Sequence, residues 1–158
     1  MSRVEFISPT KGRMTFDQVF EEIIAYASEN PEDNYRLIVG TDSQLREETC
    51  FVTALIVHRQ GKGGRLFYTR SYDSHARSLR QRIFYEASLS LNVASLLTDK
   101  LASHGQELNL EIHLDVGSNG ATKTLVKEVV GMVNGSGYTC KIKPDSYGAS
   151  TVADRYTK

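Results

Sequence analysis

The feature that most constrains this chain is a change of hydrophobic period near residue 77. Before it, residues 35–41, 50–58 and 65–71 are dense in apolar and β-branched side chains, which predicts three strands. The segment 59–64 between the second and third strands carries the glycines of a hairpin, so we expect an antiparallel meander. After the change, apolar residues recur every three or four positions from Leu79 to Leu101, which predicts a long helix over residues 77–103.

The remaining pattern alternates between strands and helices. Residues 108–114 alternate apolar and polar side chains as a fourth strand does, and residues 121–134 carry a helical stripe. Residues 138–142 alternate like a half-exposed edge strand, and a short helix follows over residues 149–156. From residue 35 onward the predicted order is therefore strand, strand, strand, helix, strand, helix, strand, helix, which is a mixed α/β domain.

An amphipathic helix precedes this series at residues 15–28. Thr15 and Gln18 have the spacing of a capping box, and Asn30 before Pro31 is a typical helix end. We expect residues 1–34 to form an N-terminal extension that packs on the core or contributes to a homodimer contact, with residues 35–158 as the main domain.

Length and charge exclude several classes of protein. A chain of 158 residues favours one domain, and 19 basic against 19 acidic residues exclude a polybasic nucleic-acid coat. Apolar runs are too short to span a bilayer, and the N-terminus lacks the stretch of a signal peptide, so we expect no membrane partner. Cys50 and Cys140 lack metal or redox spacing. The expected compartment is the reducing cytoplasm.

Four acidic residues stand where the predicted order gives each a defined place. Asp42 follows the first strand and Asp115 ends the fourth, while Glu86 and Asp154 lie on helices. Sites in open sheets form beyond the carboxyl ends of strands, so Asp42 and Asp115 meet if their strands are neighbours. Taken singly, each acid also has a structural explanation, such as a turn at Asp42 or a helix pair between Arg82 and Glu86. Their joint placement favours a shared carboxylate site.

Three strings carry a resemblance to a known family. GTDSQ at residues 40–44, LDVGSNGATK at 114–123 and PDSYGASTVADRYTK at 144–158 resemble the YkuK-like family of ribonuclease H-like proteins. The resemblance covers residues 35–158 and implies a ribonuclease H-like mixed five-stranded sheet, in βββαβαβα order, with helices on both faces.

The resemblance also implies a chemistry. Asp42, Glu86, Asp115 and Asp154 would be both the metal ligands and the catalytic acids, holding paired Mg²⁺ or Mn²⁺ for phosphodiester hydrolysis. Asp145 is the alternative to Asp154. The segment 144–148 lacks the histidine that ribonucleases H often place there, so proton transfer would fall to another group, Lys158 or water.

Charge is uneven despite the zero total, which suggests a place for nucleic acid. From Arg59 to Arg82 there are seven basic residues against Asp73, a local excess of 7 − 1 = +6. A phosphate backbone needs such contacts, although a solvated hairpin explains the same charges. The loop 117–124 lacks the Gly-Lys pair of a P-loop. The expected nucleic-acid contacts are Ser43, Gln44, Arg70, Arg77, Arg80, Arg82, Asn119 and Lys123.

Three functions from different classes remain open at this point. The first is a metal-dependent nuclease acting on RNA, RNA–DNA hybrid or structured DNA. The second is a ribonuclease H-like module that binds nucleic acid or protein without cutting. The third is an actin- or hexokinase-like phosphotransferase, which needs two such domains where this length supplies one. Retention of all four acids favours the nuclease, because a pure binder has little use for concentrated negative charge beside a phosphate.

Overall fold

The computed structural model describes residues 4–118 and 120–158, which form a mixed sheet flanked by helices. The elements are β1 (Glu5–Ser8), β2 (Gly12–Thr15), α1 (Phe16–Ser28), β3 (Tyr35–Gln44), β4 (Thr49–Arg59), β5 (Gly63–Asp73), α2 (Leu79–Ser103), β6 (Asn109–Leu114), a 3₁₀ turn (Lys123–Leu125), α3 (Val126–Gly135), β7 (Thr139–Lys141) and a C-terminal π-helix (Gly148–Ala153). Within the described ranges the strands are ordered β2-β1-β5-β4-β3-β6-β7.

The centre of the sheet agrees with the predicted order. β3, β4 and β5 form the expected antiparallel meander. β6 lies beside β3 and parallel to it, with Thr41 opposite Leu114. The carboxyl ends of these two strands therefore coincide, so Asp42 and Asp115 begin at neighbouring points of the same sheet edge.

The predicted count of five strands is wrong, because the N-terminal region contributes two more. β1 and β2 form a hairpin, and β1 joins the sheet edge where Ile7 lies opposite Tyr68 of β5. Each of these strands has only four residues, too few for an alternating pattern to stand out. Phe6 and Met14 nevertheless bury their side chains in the core.

Three helices cover one face of the sheet. α1 and α2 each begin with a capping box, at Thr15 as predicted and at Ser78. Their apolar sides share a core with β3, β4 and β5, whose largest fully buried members include Ile23, Leu37, Leu55 and Leu97. α3 packs beside α2 against β6. The helix expected over residues 121–134 starts instead as a 3₁₀ turn and continues as α3.

The opposite face is covered by the C-terminal π-helix, so helical elements lie on both faces as expected. This helix stands where a short α-helix was predicted over residues 149–156. It packs so closely on β3 that a Cβ atom at Gly40 would lie 2.5 Å from the Ala149 backbone nitrogen. Glycine at position 40 is therefore a requirement of this contact. None of the helices in the described part of the chain is long and apolar enough to cross a membrane.

Candidate active site

At the end of β3, the adjacent residues Asp42 and Ser43 point to opposite faces of the sheet. Thr41 and Ser43 face α2, where their hydroxyls hydrogen-bond Ser90 and Glu86. Gly40 and Asp42 face the C-terminal π-helix, since strand side chains alternate. The end of β3 thus connects two groups of polar side chains, one on each face.

Asp42 and Asp154 form the carboxyl pair on the π-helix face. Asp42 is 6% exposed, and the two carboxyl groups lie within hydrogen-bonding reach of each other. Burial raises the pKa of Asp42 to about 9, with further contributions from this hydrogen bond and from the charges of Glu86 and Asp115. The same hydrogen bond lowers the pKa of Asp154. Asp42 and Asp154 therefore hold one proton between them at neutral pH.

Glu86 occupies the α2 face and is held through Ser43. The Ser43 hydroxyl donates to Glu86 Oε2 at 2.5 Å, and Arg82 Nε donates to the same hydroxyl at 3.0 Å. Arg82 Nη2 also donates to the Ser43 carbonyl at 3.0 Å. Burial raises the pKa of Glu86 to about 8, although the Ser43 hydrogen bond opposes the shift. Arg82 and Ser43 are thus positioned to orient Glu86.

Asp115 follows β6 and contacts two residues that the sequence analysis did not single out. Its Oδ1 atom accepts a hydrogen bond from the Ser150 hydroxyl at 2.7 Å. The same oxygen lies 3.2 Å from Lys143 Nζ. The π-helix therefore reaches the acids twice, through Ser150 and through Asp154 directly after it.

Asp42, Glu86, Asp115 and Asp154, called the four-acid cluster below, come from four separate parts of the chain to one end of the sheet. The charges of Glu86 and Asp115 both act on Asp42. Asp145, the alternative to Asp154, is exposed, and it is Asp154 that pairs with Asp42.

The cluster fits a hard divalent cation by its chemistry, because all four donors are carboxylates. In the present side-chain arrangement, however, no group of three or more His, Cys, Asp or Glu residues within 4–118 and 120–158 is placed to hold a metal ion. Asp42 lies on one face of β3, and Ser43, the hydrogen-bond partner of Glu86, lies on the other. Asp115 already contacts the Ser150 hydroxyl and the Lys143 ammonium group. Binding would require these acids to turn towards each other and to exchange their present partners.

Comparison with known proteins places the chain in a family. The family profile described as Ribonuclease H-like matches residues 18–158. The chain belongs to the ribonuclease H-like family. It is also 37% identical over 166 aligned residues to YkuK of Bacillus subtilis (strain 168), an uncharacterized protein, covering 97% of this chain and 96% of that protein. No solved structure matches the chain. The resemblance to the YkuK-like family is therefore confirmed.

The basic segment of this ribonuclease H-like protein does not form one continuous strip. Arg59 and Arg65 lie by the turn between β4 and β5, at the end of the sheet opposite the acids. Arg70 lies at the acidic end, because Val52 stands between it and Asp42 in the strand register. The basic residues are close in sequence, but β5 places Arg65 and Arg70 towards opposite ends of the sheet.

The arginines expected to contact nucleic acid already have protein partners. Arg70 donates to the Tyr156 carbonyl at 2.8 Å, and Arg77 donates to the carbonyls of Arg46 and Glu47. Arg80 pairs with Glu128 at 2.9 Å. These three arginines are exposed, whereas Arg82 serves the Glu86 network described above.

The other expected contacts divide in the same way. Ser43 is buried and its hydroxyl is engaged by Glu86 and Arg82, so the structure gives it an internal role. Gln44 and Lys123 are exposed. Asn119 lies outside the described residues.

His113 is a satisfied core residue of this ribonuclease H-like protein, and it anchors the π-helix. Its Nδ1 atom accepts from the Gly148 backbone N–H at 2.9 Å. Its Nε2 atom is therefore the protonated nitrogen, donating to Glu111 Oε1 at 2.8 Å. The ring is fully buried, and burial is the main cause that lowers the pKa of His113. The neutral ring thus fixes the first residue of the helix that precedes Asp154.

We expect the contribution of His113 to stability to decrease as pH falls. The folded protein resists protonation of His113, while the unfolded chain takes up that proton as pH falls below 6.5. The raised pKa values of Asp42 and Glu86 act in the opposite direction, so only a difference between variants isolates the histidine. The free-energy cost of His113→Asn, measured by urea unfolding, should therefore shrink as pH falls from about 7.5 to about 5.5. An unchanged cost for His113→Asn across this range would contradict the assignment.

Proposed function

We propose that this ribonuclease H-like protein is a metal-dependent nuclease that hydrolyses phosphodiester bonds in RNA, RNA–DNA hybrid or structured DNA. The observation that carries the proposal is the four-acid cluster itself, assembled from distant parts of the chain at one end of the sheet. Burial of Asp42 and Glu86 among other acids raises their pKa values to about 9 and about 8, which costs stability at neutral pH. Strongly perturbed carboxyl groups of this kind are typical of functional sites.

Each acid has a distinct task under this proposal. Paired Mg²⁺ or Mn²⁺ ions, when bound, would activate a water molecule and stabilise the leaving oxygen. Asp42 and Asp115 supply carboxylates from adjacent strand ends, and Asp154 adds a third from the position directly after the π-helix. Asp42 must first release the proton that it now shares with Asp154. Glu86 is oriented through Ser43 and Arg82, which keep it at the end of β3.

A second function, binding without cleavage, is favoured by one observation. Glu86 and Asp115 accept hydrogen bonds from the hydroxyls of Ser43 and Ser150, and the described residues offer no ready group of three ligands. A protein that only binds nucleic acid or protein would retain this closed arrangement. The two functions differ in whether added metal produces cleavage that depends on the acids.

The test is a panel of labelled RNA, DNA and hybrid substrates incubated with Mg²⁺ or Mn²⁺. We expect cleavage by the wild type and a loss of at least about 100-fold in Asp115→Asn, since even outer-shell changes cost metal sites 10–100-fold. The exposed Asp145→Asn is the matched control and should cleave as the wild type does. Cleavage that survives equally in Asp115→Asn would contradict the proposal, and substrate binding without cleavage would favour the second function.

A further inference from the structure

Lys143, which the sequence analysis did not consider, reaches into the four-acid cluster. Its ammonium group lies 3.2 Å from Asp115 Oδ1, and its charge also acts on Glu86. The Lys143 side chain is 48% exposed, against 24% for Asp115. The ammonium group therefore contacts both the cluster and solvent.

The path of this lysine is fixed by its neighbours. The Lys143 backbone N–H donates to the Val116 carbonyl at 2.8 Å, directly after Asp115. Its aliphatic stem then lies against Gly117, where an added Cβ atom would stand 3.3 Å from Lys143 Cβ and 3.6 Å from Cδ. Glycine at position 117 leaves room for the stem to pass close to the backbone. The contact with Asp115 is therefore built into two adjacent stretches of the fold.

The other lysine beside the cluster has a different character. Lys158 Nζ lies 3.1 Å from Asp154, four residues earlier, and its side chain is 68% exposed. Local pairs of this kind contribute little. Lys143 instead comes from a distant part of the chain to the more buried acid. It is the stronger candidate for a counter-ion to the cluster.

If Asp115 bound a metal cation, that cation and the ammonium group of Lys143 would repel each other. For a divalent ion about 4 Å away, Coulomb repulsion by one ammonium charge weakens binding by about tenfold or more even in water. The metal cation and the ammonium group would also compete for the carboxylate of Asp115. Asp115 therefore contacts either Lys143 or a metal ion, and not both at once.

We propose that Lys143 is the resident counter-ion of the four-acid cluster and that a divalent cation displaces it from Asp115 on binding. Lys143 thereby sets the metal concentration at which the cluster fills. This inference rests on the proposed function, because it takes the cluster as the site of a divalent cation.

The test is the Mn²⁺ affinity of charge variants, measured by isothermal calorimetry and by the electron paramagnetic resonance signal of free Mn²⁺. Lys143→Met keeps the stem and removes the charge, so Mn²⁺ should bind about tenfold more tightly than to the wild type. Lys143→Arg keeps the charge and should stay within about twofold of the wild type. Lys127→Met, at an exposed position of α3, is the matched control and should not change the affinity.

A second readout excludes a merely structural role. Without metal, Lys143→Met should melt at a lower temperature than the wild type, because the acids lose their counter-ion, and Mn²⁺ should then raise its melting temperature by more. Equal or weaker Mn²⁺ binding by Lys143→Met would overturn the inference. If Mn²⁺ still bound to the wild type and not to Asp42→Asn, the proposed function would stand. If Mn²⁺ bound to none of these proteins, both would fail.

Discussion

Asp42→Asn is expected to raise the melting temperature of the metal-free protein and to abolish its stabilisation by Mg²⁺ or Mn²⁺. The pKa of Asp42 is raised to about 9 in the fold, so above its ordinary value of 3.8 the unfolded chain releases a proton that the folded protein retains. Folding is therefore penalised increasingly as pH rises from about 4 towards 9. Asparagine is neutral in both states and its amide can donate to Asp154, as the protonated Asp42 does.

The size of the effect follows from the pKa shift after allowance for coupling with Asp154. A gain of about 1–3 kcal/mol near neutral pH corresponds to a rise of roughly 2–12 °C in melting temperature for a chain of this length. Thermal unfolding with a chelator should show a larger gain at about pH 8 than at about pH 5.5. Added metal should then stabilise the wild type and leave Asp42→Asn unchanged.

Asp145→Asn is the matched control for this experiment. It removes an exposed acid close in sequence to the cluster, and it should neither raise the metal-free melting temperature nor reduce the gain from metal. Equal metal-induced gains in the wild type and Asp42→Asn would argue against a metal site at this acid. A lower metal-free melting temperature for Asp42→Asn would argue against the buried, protonated state of Asp42.

Gly40→Ala is expected to destabilise the fold and to separate Asp42 from Asp154. The new Cβ atom would lie 2.5 Å from the Ala149 nitrogen and 2.6 Å from the Gly148 carbonyl carbon, so backbone atoms rather than a flexible side chain must move. Overpacking of this kind costs about 1–3 kcal/mol or more. The π-helix should shift away from β3, carrying Asp154 with it. Urea unfolding measures the loss of stability, and the cleavage assay should show a loss of activity.

Gly131→Ala provides the contrasting substitution. Gly131 lies within α3, and an added Cβ atom there meets no atom within 4 Å. Alanine should therefore be neutral or stabilise the helix by up to about 1 kcal/mol. If Gly40→Ala were as stable as Gly131→Ala and the wild type, the result would contradict the close contact between β3 and the π-helix.

The sequence predicted the centre of the fold and missed its edges. Eleven-residue strands such as β4 and the 25-residue helix α2 repeat their hydrophobic period several times, which makes their patterns distinct. β1 and β2 are too short to repeat a pattern and gain their place only by pairing with β5 and with each other. The C-terminal element is also a π-helix where an α-helix was predicted, and its close packing on Gly40 joins residues far apart in the chain.

The acids were identified by sequence order, but their surroundings were not. Hydrophobic periodicity is local, so it determined the order of the central elements and therefore the end of the sheet at which Asp42 and Asp115 lie. Which face each side chain occupies depends on strand pairing between residues far apart in the chain. Only the tertiary structure decided that Asp42 faces Asp154 while Ser43 faces Glu86, and that the stem of Lys143 passes Gly117 to reach Asp115. Contacts of this kind leave no local period in the sequence, because each joins single residues brought together by the completed sheet.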